Sequence, residues 1–180
     1  MLLTIEQIES QLKTKFKPFG SDMNDLILKR RTSPPININM LEKSINTKIP
    51  NEFRLFIEKY NMNNFTLGPI SFGTSEDYIE QLIEINTDNE FCRWWTGKSR
   101  PANTIAIATS DPYTILLNTE NGKIFAITSE SNMSDWKTIA CNFEMFARGV
   151  GTIFLKQGDP SEVVSAVNAE NGEFWQELLS

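Results

Sequence analysis

The sequence predicts an α+β fold, in which helices come first, strands follow as an antiparallel meander, and helices come last. Three observations predict this order. Capping signals precede apolar residues at helical spacing in the first third of the chain. Two apolar runs then flank Asn121-Gly122, which is a strong hairpin signal, and Asp159-Pro160 later has the form of a helix start. We therefore expect a single domain over residues 1–180, with a central antiparallel sheet flanked by N-terminal and C-terminal helices.

The first helix is expected to follow Thr4, which has capping-box spacing to Gln7. Its apolar face consists of Ile5, Ile8, Leu12 and Phe16. Pro18 and Gly20 are expected to end it. The polar stretch beyond it, with Lys29-Arg30-Arg31 and Pro34-Pro35, is expected to form a loop.

Two further helices are expected before the sheet. Asn39 and Glu42 form a second capping box, which predicts a short helix that ends near residues 44–46. Pro50 suits the first turn of the next helix, because a proline there removes only an N–H that would be unpaired anyway. The buried stripe of that helix consists of Phe53, Phe56, Ile57 and Tyr60.

The middle of the chain predicts strands around one more helix. Residues 65–72 are expected to be a strand broken by Gly68-Pro69, and a helix opens at Ser75. The inner face of that helix is Ile79, Leu82 and Ile83, and its outer face is Glu76, Glu80 and Glu84. Strands are expected at 104–108, 113–117 and 123–127. A helix capped by Asn142 and running to Gly149 follows, and the tail adds a last apolar turn at 174–179.

The chain contains no histidine. Histidine is the side chain best suited to proton transfer near neutral pH and the commonest metal ligand. Its absence excludes Ser-His-Asp and Cys-His catalysis and histidine-based zinc or iron sites. No catalytic residue, metal or cofactor is therefore expected. An enzyme that uses carboxylates, with Mg²⁺ near Asp88 and Glu90, stays open as a minor alternative.

The net charge is −6, and the acidity is local. The stretch from Asn61 to Cys92 has no lysine or arginine, and its acids are Glu76, Asp77, Glu80, Glu84, Asp88 and Glu90. Such a surface disfavours nucleic acid and anionic membranes and suits a basic protein partner. A solvated helix face with no partner is the alternative for these charges.

Two other motifs have competing interpretations. Thr96-Gly97-Lys98-Ser99 resembles the end of a phosphate-binding loop, but Cys92 stands where that loop needs its first glycine. Trp94 and Trp95, with basic residues around them, could be core edges, a protein-binding hot spot or a platform for single-stranded nucleic acid.

Cys92 and Cys141 match no disulfide or zinc spacing. With no signal-peptide or bilayer-spanning pattern, we expect free thiols in a cytoplasmic protein, and a single buried disulfide stays open as the alternative.

Several segments together resemble the SUKH superfamily, which contains bacterial immunity proteins and fungal cell-wall regulators of the Smi/Knr type. The segments are Leu41-Glu42-Lys43, Ile49-Pro50 and the helix through Asn61, Gly68-Pro69-Ile70, residues 105–111, Asn121-Gly122-Lys123-Ile124 and Asn142 to Phe146. Two positions depart from the family pattern. Asp111-Pro112-Tyr113 replaces a glycine-rich turn, and Asn61-Met62 replaces Asn-Gly.

The resemblance implies a non-enzymatic immunity protein that binds and neutralises a cognate toxin, often a nuclease, in a polymorphic toxin system. It also allows a regulatory scaffold with a cellular protein client. Nuclease toxins tend to be basic, so an acidic inhibitor gains electrostatic steering. A monomer or weak homodimer is expected. The predicted contact surface comprises Glu76, Asp77, Glu80, Glu84, Asp88, Glu90, Trp94, Trp95, Asp111 and Tyr113.

Overall fold

The first helix, α1, spans Ile5–Phe16 and is capped as predicted, by a reciprocal capping box between Thr4 and Gln7. Its four predicted apolar residues are all buried. Pro18 follows in a 3₁₀ segment, Lys17–Leu26, that turns the chain away from the α-helical path. The computed structural model describes residues 1–32, 37–74, 77–88, 90–91 and 93–178.

Two details of the N-terminal half differ from the sequence-based expectation. Helix α2, Ile38–Ile45, is capped by Asn37 and not by Asn39. The predicted loop at Lys29–Arg30 is a short strand, β1, which pairs with β2, Tyr60–Asn61, directly after helix α3, Asn51–Lys59. Long-range pairing decided the conformation of β1, and a window of local sequence does not contain that partner. Pro34-Pro35 lies outside the described residues.

The main sheet is antiparallel, and its described strands follow one another in chain order from β3 to β8. They are β3 Thr66–Leu67, β4 Ile70–Ser71, β5 Thr104–Ser110, β6 Tyr113–Asn118, β7 Ile124–Ile127 and β8 Thr138–Ala140. The predicted break at Gly68-Pro69 is the turn between β3 and β4, and the predicted hairpin at Asn121-Gly122 joins β6 to β7. Strand β8 was not predicted, because it is three residues long and acquires its partner only in the sheet.

The two faces of this sheet carry different clusters. Ile105, Ile115 and Leu117 face the large core, which reaches from Leu2 to Trp175 and is covered by helices. Ala106 and Leu116 point to the other side, as alternation along a strand requires, and belong to a small second cluster. The partly buried residues that pack against this second cluster are Ile85, Trp94, Phe125 and Trp136.

Helix α4, Tyr78–Asn86, begins three residues later than predicted, and its N-cap is Asp77. The predicted start, Ser75, and the predicted outer-face residue Glu76 lie outside the described residues. The inner-face prediction is confirmed, with Ile79 and Leu82 buried and Ile83 packed against the core.

The C-terminal helices pack on the large core. Helix α5 is capped by Asn142 as predicted, but it runs from Phe143 to Phe154 and so passes Gly149. Helices α6, Pro160–Ala166, and α7, Glu173–Glu177, complete the chain order of an α+β fold. No helix among the described residues is long and apolar enough to cross a bilayer.

Candidate functional site

Asn86, the last residue of α4, joins that helix to strand β5. Its side chain is 2 % exposed, and its amide nitrogen donates to the Leu82 carbonyl at 2.9 Å and the Ala106 carbonyl at 2.8 Å. Its amide oxygen accepts from the Ala106 N–H at 2.8 Å and from the Trp94 indole N–H at 2.9 Å. All four hydrogen-bonding positions of the amide are therefore used, which fixes its orientation.

Asn86 also anchors the loop that follows α4 at two points. Trp94 bonds its side chain, and the guanidinium of Arg100 donates to its backbone carbonyl. Arg100 donates further to the Ile45 carbonyl and to the Thr47 hydroxyl, each at 2.7 Å, at the C-terminal end of α2. A guanidinium suits this position because it presents several donors in a rigid plane. Burial lowers the pKa of Arg100, but arginine stays protonated at physiological pH.

The anchored loop places Trp94 against the second face of the sheet and Trp95 against the ring of Trp94. The rings of Trp94 and Trp95 meet edge to face at 5.6 Å, and Trp94 lies 6.1 Å from Trp136. The Trp136 ring in turn lies 6.0 Å from that of Phe125. These contacts extend the small second cluster beyond strand β7.

An open groove of about 530 Å³ lies between the anchored loop and the segment that leaves β7. Its lining residues are Arg93, Trp94, Trp95, Thr96, Gly97, Ser99, Pro101, Ile127, Thr128, Ser129, Ser131, Asn132, Met133 and Trp136. We call this the aromatic groove. Its volume is in the range of sites that hold small molecules or short peptide segments. Met133, which is 64 % exposed, adds an adaptable apolar side chain.

Two residues that line the aromatic groove each carry a buried polar atom without a partner among the described residues. The indole nitrogens of Trp95 and Trp136 are buried, and no described residue accepts a hydrogen bond from either. The Trp95 side chain as a whole is 7 % exposed. A buried donor without an acceptor costs about 1–3 kcal/mol, so these two N–H groups are a local cost to the stability of the fold.

The predicted acidic residues divide into two roles. The Asp77 carboxylate accepts the backbone N–H groups of Ile79 and Glu80, which makes it the helix cap. Glu80 and Glu84 are exposed on the outer face of α4, as predicted. Glu76 lies outside the described residues.

Beyond the helix, Asp88 forms an ion pair with Arg93 at 3.0 Å, and Glu90 is exposed. Because Arg93 lines the aromatic groove and Asp88 follows α4, this pair connects the acidic segment to the groove. The structure thus places Trp94 on the last residue of α4 and Asp88 on a residue that lines the aromatic groove.

The other two predicted residues lie elsewhere. Tyr113 packs its ring 5.4 Å from that of Phe174, and its hydroxyl donates to Glu177 in α7, on the helix-covered face of the sheet. Asp111 is exposed in the β5–β6 turn, where its peptide bond to Pro112 is cis. Neither residue lines the aromatic groove. Cys141 is a half-buried free thiol, and Cys92 lies outside the described residues.

Sequence reasoning missed Asn86 and Trp136, and it considered Arg100 only as one of the basic residues around the tryptophans. One signal could have found Asn86, because it lies four residues after Leu82 and so continues the buried face of α4. No such signal marks Arg100 or Trp136, whose partners are distant in the chain.

The chain matches one protein family over residues 34–149, which is more than half of its length. That segment contains α2 to α4 and all strands from β2 to β8. No individual curated protein matches. The fold, the order of the elements and this match agree with the resemblance carried by the sequence motifs. The chain belongs to the SMI1 / KNR4 family (SUKH-1).

Proposed function

We propose that the chain is an immunity protein that binds a cognate protein toxin and neutralises it by occluding the toxin's active site. The expected toxin is a nuclease. The observation that carries this proposal is the joining of two different surfaces at Asn86. Exposed carboxylates occupy the outer face of α4, and the aromatic groove begins at Trp94, which bonds the last residue of the same helix.

The carboxylates supply the long-range part of recognition. Glu80 and Glu84 are four residues apart on one helix face, an arrangement that costs a few tenths of a kcal/mol in an isolated helix. A basic partner would remove this repulsion. Enzymes that act on nucleic acids carry basic surfaces to bind phosphate, so an acidic inhibitor approaches them faster than a neutral one would.

The aromatic groove supplies the short-range contacts of partner recognition. Binding energy at protein interfaces concentrates in a few aromatic and arginine side chains within a desolvated centre. Trp94, Trp95 and Trp136 form such a cluster, and Arg93 lies at its edge. The family also includes regulatory proteins, and for those a cellular protein would occupy the same surface.

The test takes the protein encoded by the neighbouring gene as the candidate toxin domain and measures its binding to the chain. The double variant Glu80→Lys and Glu84→Lys should lower the association rate constant at least about tenfold at low ionic strength, with a smaller effect on dissociation. The effect should shrink as salt is added, because screening removes steering.

The matched control is Glu120→Lys with Glu173→Lys. It makes the same change in net charge on exposed residues of the β6–β7 turn and of α7. An equal decrease of the association rate constant in both double variants would show that association depends on the net charge of the chain and not on the carboxylates of α4. If no complex forms with the toxin domain, the immunity role is rejected and a client of the regulatory type becomes the alternative.

A further inference from the structure

The sequence contains two Asn-Gly pairs, Asn121-Gly122 and Asn171-Gly172, and a glutamate precedes each of them. Asparagine is a thermolabile residue, because the backbone nitrogen that follows it can attack its side-chain amide. A following glycine favours this attack most, since it has no Cβ to obstruct the approach. With the same residue before each pair, a difference in reactivity between them depends on the fold.

Two hydrogen bonds restrain the first pair. The Gly122 N–H donates to the Asn118 carbonyl at 2.8 Å, so the attacking nitrogen is already bonded inside the turn. The Asn121 amide oxygen accepts the Lys123 N–H at 3.0 Å, which fixes the orientation of the side-chain amide. Asn121 is exposed, so exposure alone would favour its reaction, and these hydrogen bonds oppose it.

The second pair has neither restraint. Within the part of the chain that the structure describes, no residue accepts the Gly172 N–H, and none hydrogen-bonds the Asn171 side chain. Both residues are half-buried, and Asn171 lines an open pocket of about 220 Å³. The nitrogen and the amide that must meet are therefore unrestrained, and water has access to them.

We propose that Asn171 is a self-modification site, at which the folded chain converts its own asparagine to isoaspartate. The Gly172 nitrogen loses its proton to solvent and attacks Cγ of Asn171, so that an N–Cγ bond forms and closes a succinimide ring. The Cγ–Nδ2 bond breaks, and Nδ2 takes up a proton and leaves as ammonia. Water then opens the ring, at Cγ to give aspartate or at the backbone carbonyl carbon to give isoaspartate. The net reaction consumes one water and releases one ammonia, without oxidation or reduction.

The residues on either side of this site hold strand β8. Glu170 donates its N–H to the Thr138 carbonyl at 2.9 Å, and its carboxylate accepts the Thr138 N–H at 3.1 Å. Trp175 in α7 is buried and donates its indole N–H to the Ile139 carbonyl at 2.9 Å. Isoaspartate at Asn171 adds a methylene group to the backbone between these two anchors. The chain between them then no longer matches their separation on β8, so the modification limits the lifetime of the fold.

The first experiment compares the two pairs within one molecule and needs no partner. The purified chain is kept in mildly alkaline buffer, and its digests are analysed by mass spectrometry with electron-transfer fragmentation, which distinguishes isoaspartate from aspartate. Isoaspartate is the diagnostic product, since direct hydrolysis of the amide gives aspartate alone. It should form at least about fivefold faster at Asn171 than at Asn121, the factor that one net hydrogen bond supplies. No isoaspartate at Asn171, or an equal or higher rate at Asn121, would overturn the proposal.

The same incubation in concentrated urea removes the fold. Both pairs should then react at similar rates, because the hydrogen bonds that restrain Asn121 and Gly122 are lost with the native state. A preference for Asn171 that persists in urea would come from the local sequence and would overturn its assignment to the structure.

Two variants test the effect on the fold. Asn171→Gln blocks the reaction, because ring closure from the longer side chain is far slower, and fresh Asn171→Asp adds the charge without lengthening the backbone. The aged native chain should melt at a lower temperature and exchange the amide hydrogens of β8 faster, whereas aged Asn171→Gln and fresh Asn171→Asp should match the fresh native chain. An unchanged melting temperature in chain that contains isoaspartate, or an equal decrease in aged Asn171→Gln, would overturn the limit on lifetime.

Discussion

The side-chain amide of Asn86 hydrogen-bonds both the N–H and the carbonyl of Ala106, each at 2.8 Å, as a neighbouring strand would. The described pairing between β4 and β5 is at Ser71 and Thr109, so it leaves Ala106 without a strand partner on this side. Asn86 supplies that partner and carries Trp94 on the same amide. The aromatic groove therefore depends on a residue that does not line it.

Asn86→Ala should destabilise the fold by about 2–4 kcal/mol, because it leaves two backbone groups and one indole N–H without partners in a buried region. Urea unfolding would measure the change, and ¹⁵N NMR would show the Trp94 indole signal moving. A variant within about 0.5 kcal/mol of the native chain would mean that water replaces the amide without cost.

The cap of α2 offers a direct comparison between two asparagines. Asn37→Ala should lower the free energy of unfolding by about 1 kcal/mol, since its side chain accepts the Met40 N–H at 3.0 Å. Asn39→Ala should have almost no effect, because Asn39 is an exposed residue inside the helix. If Asn39→Ala destabilised the protein more than Asn37→Ala, Asn39 would be the N-cap, as the sequence predicted.

Arg100→Lys should loosen the loop between Trp94 and Arg100. Lysine keeps the charge but cannot reach three acceptors at once, so we expect a loss of about 1–3 kcal/mol in stability. Hydrogen exchange of residues 93–101 should accelerate more than that of the β6–β7 hairpin. Uniform acceleration across the sheet would indicate global destabilisation and no specific anchoring of the loop.

Tyr78 makes stability depend on alkaline pH. Its hydroxyl donates to the Ile107 carbonyl at 2.7 Å, and burial raises its pKa far above the ordinary value of about 10. The folded state keeps the proton that the unfolded state releases, so stability is fully present below pH ~10 and declines above it. Tyr78→Phe should lose about 1–2 kcal/mol at neutral pH and show a shallower decline above pH ~10 in urea unfolding. An unchanged alkaline slope would contradict this assignment.

Gly151 marks the closest approach of α5 to α1. A Cβ there would lie 2.5 Å from Cδ1 of Ile8, so Gly151→Ala should destabilise by about 1–3 kcal/mol despite the better helix propensity of alanine. Adding Ile8→Val removes that Cδ1 and should recover part of the loss. Gly97→Ala is the control, because the nearest atom to its Cβ would be 4.0 Å away. Additive effects of the two core changes would show that this contact is not the cause.

Elements whose conformation depends on neighbouring residues could be predicted from the amino-acid sequence. The capping box of Thr4, the cap of Asn142 and the Asn121-Gly122 turn specify their own conformations, because each uses hydrogen bonds or backbone angles within a few residues. Helical spacing also placed Glu80 and Glu84 on the exposed face of α4.

Which of these elements contact one another could not be predicted, because it depends on the assembled fold. It placed Trp94 beside α4 and Tyr113 on the opposite face of the sheet, although the sequence grouped both with the acidic residues. It also created the pairing of Asn86 with Ala106, twenty residues apart in the chain. Such contacts depend on the strand edge that stays unpaired in the sheet and on the face of the sheet that the loop covers. Those are properties of the assembled sheet, and no local sequence window contains them.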